Sequence, residues 1–253
     1  MIGRRRALIL LASAAPVLAA GPAQAGFLDL FDAGQWWMAL RFAWAGIPAR
    51  TFRIPGQSMA PTLEPGDTFV VDQRAAGTPP RRGDIIVFRV PLDRSVLYVK
   101  RVVGLPGDRV QMIGGFLSIN RRLVERRQAE PYAGPSSRGG TLHRYIESLP
   151  ADDNAPPAEY GILEQSGMEP YDDMPERLVP ADHCFVLGDN RDNSLDSRAD
   201  IGYVPIENIL GRVVYRLRPH PGWLVPPESV PGLADSGDAL SGRFITKIVM
   251  PRA

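Results

Sequence analysis

From Arg50 to Arg218 the chain is cut into short runs by one recurring signal, glycine followed by aspartate. It falls at Pro65-Gly66-Asp67, Gly83-Asp84, Pro106-Gly107-Asp108 and Gly188-Asp189. Glycine accepts backbone conformations closed to other residues, and aspartate hydrogen-bonds neighbouring amides, so each pair favours a turn. The runs between turns, at 68–72, 84–90, 96–103, 108–113, 116–120, 184–187 and 211–217, are rich in β-branched and aromatic residues. They are too short for typical helices and are predicted as strands. Many short strands with repeated turns imply a mainly β architecture.

Residues 125–180 break this pattern: they are rich in Pro, Asp, Glu and Gly, with strand signals only at 142–146 and 160–163. They are expected to form an inserted subdomain or a long excursion. The expected organisation is a β core of 49–124 and 181–218, an insert of 125–180, an N-terminal segment of 1–48 and a Pro/Gly-rich tail of 219–253.

The N-terminus reads as a targeting segment. Arg4, Arg5 and Arg6 precede an apolar run from Ala7 to Ala20, and the small residues Ala23-Gln24-Ala25-Gly26 come next. This is the order of a signal peptide, cleaved or kept as a short anchor; Pro16 and the run's length fall short of the ~20 residues of a spanning helix. Either form leaves the basic cluster in the cytoplasm and places the chain beyond the apolar run across the membrane. A second apolar stretch, Trp36 to Ile47 with Arg41 inside, suits either a membrane interface or a core helix.

Composition narrows the function. The net charge of +1 provides no nucleic-acid footprint. A single cysteine, Cys184, excludes an internal disulfide and a thiolate-rich zinc site, and its apolar neighbours Phe185, Val186 and Leu187 point to a buried structural thiol. Neither a phosphate-binding glycine loop nor a His-Glu-x-x-His element is present, and no cofactor is expected. His143, His183 and His220 lack triad or metal spacing.

Three segments carry candidate chemistry. Ser58 lies in Ile54-Pro55-Gly56-Gln57-Ser58-Met59-Ala60-Pro61, a sharply bent context that exposes a hydroxyl and leaves an amide outside any ladder. A nucleophile needs both, although a plain turn serine fits the same context. Lys100 lies in the run Val96 to Val103, where alternation puts it on the face of Tyr98 and Val102 and puts Arg101 on the other. One of the two cations must then point inward. Only a lysine can lose its proton there and act as a base; a solvated edge lysine is the alternative. The third segment, Gly188 to Arg198, alternates Asp, Asn and Arg and is expected to satisfy its own ion pairs as a rigid support. Arg191 at a would-be ligand position argues against a calcium loop.

Together, QSMAPTL at 57–63, RRGDIIVF at 81–88, YVKRVVGLPGD at 98–108 and GDNRDNSLDSR at 188–198 resemble the bacterial type I signal peptidases. The resemblance covers residues 50–215. It implies a mainly β, signal-peptidase-like catalytic core with an inserted β-rich subdomain, Ser58 as nucleophile and Lys100 as general base. It further implies that Ser194 orients the lysine, Asp196 and Arg198 form a supporting ion pair, and Met59 shapes the nucleophile's pocket. Gly56 stands where many family members carry a serine that assists the oxyanion. The implied activity is cleavage of exported preproteins after Ala-x-Ala type sites at the bacterial inner membrane, on its periplasmic face. Membrane lipid is the other expected partner. Ala23-Gln24-Ala25 itself resembles such a site. The rival readings are a Ser-Lys peptidase with one dedicated substrate, such as a pilin or itself, and a β-rich binding module without chemistry.

Overall fold

In a computed structural model of the chain, the residues described are 38, 41–134, 141–151, 157–165, 171–218, 221–226, 229, 230 and 233. The proposed targeting segment with Ala23-Gln24-Ala25, the residues Trp36 and Trp37, His220 and most of the tail lie outside them.

The strands follow the β-branched runs closely. They are β1 (Ala49–Arg53), β2 (Thr68–Asp72), β3 (Ile85–Val90), β4 (Asp93–Gly104), β5 (Arg109–Ile113), β6 (Phe116–Ile119), β7 (Arg122–Leu123) and β8 (Glu125–Gln128). Next come β9 (Leu142–Leu149), β10 (Ala158–Gln165), β11 (Met174–Leu178), β12 (His183–Leu187), β13 (Val204–Pro205), β14 (Ile209–Arg218) and β15 (Gly222–Trp223). The fold is mainly β, as the sequence indicates. The largest sheet has the order β1-β2-β14-β3-β4-β12-β13, with β15 on β14; β10-β9-β8 and β11-β5-β6-β7 form two smaller sheets.

Three of the Gly-Asp signals are one and the same turn. Gly66, Gly83 and Gly107 have φ of 92°, 91° and 87°, as a glycine at the third position of a type II turn requires. In each, the aspartate carboxylate accepts the amide of the residue three earlier: Asp67 from Glu64 at 2.9 Å, Asp84 from Arg81 at 2.9 Å and Asp108 from Leu105 at 2.7 Å. Gly188-Asp189 is built otherwise. A Cβ on Gly188 would overlap the Ser194 hydroxyl and lie 2.5 Å from the Ser58 carbonyl oxygen. This glycine permits close approach of two backbones.

Residues on both sides of position 125 share sheet and core. Strand β11 pairs with β5. Met112, Leu117, Leu149, Ile162, Phe185 and Leu187 belong to one apolar cluster spanning β5, β6, β9, β10 and β12. Two further expectations are refined. Of the second apolar stretch, Met38, Phe42 and Ile47 are buried against Val70, Val214 and Leu217, so these residues pack in the core, while Trp44 is exposed. Of the tail, Trp223, carried by β15 on the edge of β14, joins the same cluster, as do Val230 and Leu233. Cys184 is fully buried, and burial pushes its thiol up to about 12, which suits an inert core residue.

Candidate active site

The turn that carries Ser58 is set by its apolar residues. Ile54, Met59 and Leu63 are buried with Phe69, Val71, Ile85 and Val87. Main-chain bonds from Ala60 N to Gln57 O (3.0 Å) and Leu63 N to Met59 O (2.9 Å) wind the segment into a tight turn. With Met59 drawn inward, the preceding Ser58 is left half-buried on the wall of a cavity of about 740 Å³. The Ser58 N–H donates no hydrogen bond among the described residues. Lys100, Tyr98, Gly56, Asn193 and Ser194 line the same cavity, and of the described histidines neither His143 nor His183 does.

Lys100 Nζ stands 2.7 Å from Ser58 Oγ. The lysine is 3% exposed. Burial brings its pKa down from an ordinary 10.5 to about 8; the carboxylates of Asp196 and Asp189 oppose the drop, and Arg198 assists it. An amine of this kind is substantially neutral near pH 8 and is in hydrogen-bonding reach of a hydroxyl, the geometry of an activated nucleophile.

The expectation that only one of the two cations points inward is corrected. Arg101 is 6% exposed, as thoroughly buried as its neighbour. Both faces of β4 are covered here, so alternation decides which partner each cation meets and leaves neither in water. Arg101 donates to both oxygens of Asp189, at 2.8 and 2.7 Å. It also donates to the Gly83 carbonyl at 2.9 Å.

The 188–198 loop satisfies itself only in part: several of its hydrogen bonds are internal, but most of its ion pairs are not. Only Asp196 and Arg198 pair within it, through two bonds of 2.9 Å, and Asp196 also accepts the Gly188 amide at 3.0 Å. Arg198 holds the Asp196 carboxyl below the usual range despite its burial. The other charges find their partners outside the loop, although Arg191 Nε also donates to the Gly188 carbonyl at 3.2 Å within it. Asp189 takes Arg101 and the Thr62 hydroxyl (2.5 Å), Arg191 takes Glu147, and Asp192 accepts the Gln165 amide at 2.5 Å. With these partners, neither Asp189 nor Arg191 behaves as a cation-site residue. The Asn190 amide donates to the Ser58 carbonyl at 3.2 Å, stitching loop to turn.

Ser194 is buried on the cavity wall, and among the described residues its hydroxyl makes no hydrogen bond, to Lys100 or to any other group. Gly56 is exposed there, and among the described residues a Cβ on it would meet nothing within 4 Å, so the space above it is open. Sequence reasoning missed Thr62, Glu147 and Tyr160, whose partners are remote in the chain. It also passed over a signal for Lys100: of the chain's 29 basic side chains only Lys100 and Lys247 are lysines. Where nearly every other cation is an arginine, a lysine in a strand rich in valine marks the residue able to give up its proton.

Comparison with known proteins agrees with the sequence motifs. The family model described as signal peptidase, peptidase S26, matches residues 33–218. Signal peptidase I of Rickettsia typhi is 39% identical over 142 residues, covering 54% of this chain and 51% of the relative. That of Rickettsia prowazekii is 39% identical over 139 residues, with the same coverage. A crystal structure of a signal peptidase I from Enterococcus faecalis aligns with 26% identity and a TM-score of 0.31, over 53% of this chain and 95% of that one. The chain spans about half the length of the curated relatives it matches. The family match extends over most of the chain and contains both the Ser58 turn and the Lys100 strand, and the chain belongs to the signal peptidase family, peptidase S26.

Proposed function

We propose that this chain is a signal peptidase I, a serine endopeptidase that removes signal peptides from exported preproteins through Ser58 and Lys100. The observation that carries the reading is a single contact: a buried amine with a pKa of about 8, 2.7 Å from a hydroxyl on a cavity wall. Neutral Lys100 takes the proton of Ser58 Oγ as the oxygen attacks the scissile carbonyl. The resulting ammonium protonates the departing amine, leaving an acyl group on Ser58. The neutral amine then takes a proton from water, whose oxygen attacks the ester and frees the acid and Ser58.

The Ser58 amide supplies a donor for the developing oxyanion, and the open space over Gly56 leaves room for the carbonyl oxygen. Ser194 lines the cavity with Lys100 and, its hydroxyl being unbonded among the described residues, is free to bond and orient the amine, while the Asp196–Arg198 pair fixes the loop that carries it. Met59 shapes the turn from beneath. Ala-x-Ala type sites are selected because apolar walls such as Ile54 and Tyr98 leave shallow space, and larger side chains would overpack it.

The domain division read from the sequence, a β core with a 125–180 insert between an N-terminal segment and a tail, belongs to this reading. So does attachment of the N-terminal segment to the inner membrane with the catalytic unit on the periplasmic side, supported by Arg4–Arg6 ahead of an apolar run. Among the described residues no helix is long and apolar enough to cross a membrane. The test is processing of a preprotein with an Ala-x-Ala site. Wild type is expected to cut it at that site and Ser58→Ala to leave it intact; cleavage retained in Ser58→Ala overturns the assignment.

A further inference from the structure

We propose that Tyr160 and Glu147 are positioning residues for cleavage, locking the 188–198 loop and the nucleophile turn into one rigid frame; the proposal rests on the peptidase reading above. Neither residue lines the cavity. Both act through arginines.

Glu147, in β9, is 1% exposed. Its carboxylate accepts Arg191 Nη1 at 3.1 Å, Arg191 Nη2 at 2.5 Å and the Tyr160 hydroxyl at 2.6 Å. Arg191 Nη2 also donates to the Tyr160 oxygen at 3.0 Å. The same guanidinium reaches back through Nε to the Gly188 carbonyl at 3.2 Å, and the Arg191 carbonyl accepts Arg198 Nη2 at 2.5 Å. Where Glu147 and Tyr160 hold Arg191, they hold the stretch from Gly188 to Arg191. That stretch is the one whose Asn190 amide grips the Ser58 carbonyl.

Tyr160 has a second role. Its ring centroid lies 4.2 Å from the Arg101 guanidinium carbon, a cation-over-ring contact in a desolvated setting. Arg101 in turn clamps Asp189, and Asp189 accepts the hydroxyl of Thr62, four residues after Ser58. The contacts therefore form a circuit: Thr62, Asp189, Arg101, Tyr160, Glu147 and Arg191, closing at Asn190 on Ser58. Tyr160 is the member that touches both arginines. Fully satisfied buried networks of this kind impose a single geometry, and nucleophile geometry is the quantity that catalysis feels most steeply.

The experiment uses the full chain, a peptide with an Ala-x-Ala site, and both kinetic constants alongside the melting temperature. Tyr160→Phe keeps the ring over Arg101 and removes only the hydroxyl. It is expected to fold, to lower kcat about tenfold and to leave KM within about twofold. The pair Glu147→Gln with Arg191→Met removes both buried charges together, which spares the fold an unpaired ion. It is expected to lower kcat about 100-fold, while Tyr160→Phe alone decides the matter if the double variant does not fold. A pair with a merely structural role would lower the melting temperature and leave kcat of the folded enzyme at the wild-type value; that result, or a loss confined to KM, overturns the proposal. Failure of the wild-type chain itself to cut the peptide overturns the peptidase reading instead.

Discussion

Lys100 and Arg101 are consecutive residues of β4, both nearly sealed from water, and the protein treats them in opposite ways. On one face, Arg101 is met by the Asp189 carboxylate in a two-bond clamp, the Thr62 hydroxyl at 3.3 Å and the Gly83 carbonyl. Burial alone would lower its pKa; the adjacent Asp189 more than offsets this and the net direction is up. On the other face, Lys100 has no carboxylate in contact among the described residues; it meets a serine hydroxyl at 2.7 Å and the Tyr98 ring at 5.2 Å. Its nearest negative charges act from a distance, and burial wins. The comparison teaches that burial by itself does not set a cation's protonation. A paired cation remains an ion and serves structure, and one without a contacting carboxylate is brought within reach of losing its proton.

The comparison breaks most visibly if the two side-chain types are interchangeable. Lys100→Arg keeps the charge and much of the length, but a guanidinium does not release its proton at any accessible pH. Cleavage of an Ala-x-Ala peptide is expected to fall by at least about 10³-fold, as expected for removal of a general base. A rate within tenfold of wild type would show that a neutral base at position 100 is not required.

A smaller effect sharpens it. The folded pKa of Lys100, about 8, lies below the ordinary 10.5. The native state thus holds fewer protons than the unfolded chain between these values, and the lysine's contribution to stability rises with pH across that window. Below about pH 8 its full cost is present, roughly 3 kcal/mol at about 1.4 per pKa unit. Lys100→Met is therefore expected to be more stable than wild type at pH 7, by about 2 kcal/mol once the lost bond to Ser58 is counted. The gain should vanish by pH 11. Urea unfolding at the two pH values measures this, and an equal difference at both would mean the amine carries no burial penalty.

The same contrast explains how much of the molecule was legible from sequence. Strands such as Thr68–Asp72 and Ile85–Val90 were readable because their apolar residues are buried by regular sheet pairing. Strand β8, with the sequence ERRQ, was not, because what it packs is polar. Arg126 of that strand pairs with Glu164 and lies over the Tyr145 ring, 3.7 Å from its centroid. No local pattern announces a strand of that kind. The site divides in the same way. Ser58, Lys100 and the 188–198 loop each stand in a conspicuous local motif. Arg101's inward face, Thr62's bond to Asp189 and Glu147's bond to Arg191 depend on partners 88, 127 and 44 positions away. Local periodicity also assumed that one face of β4 would be wet, and a second layer from β9 and β10 covers it.

Because the chain holds only two lysines, Lys100 can be watched alone. Isotopic labelling of lysine in a Lys247→Arg chain leaves one side-chain amine, whose NMR shift can be followed from pH 6 to 12. A midpoint near 8, with the rising limb of kcat/KM tracking it, is the result expected of a buried base poised on Ser58. A midpoint at 10 or above would mean that the amine is solvated and charged at working pH, and that the Ser58–Lys100 contact has no part in catalysis.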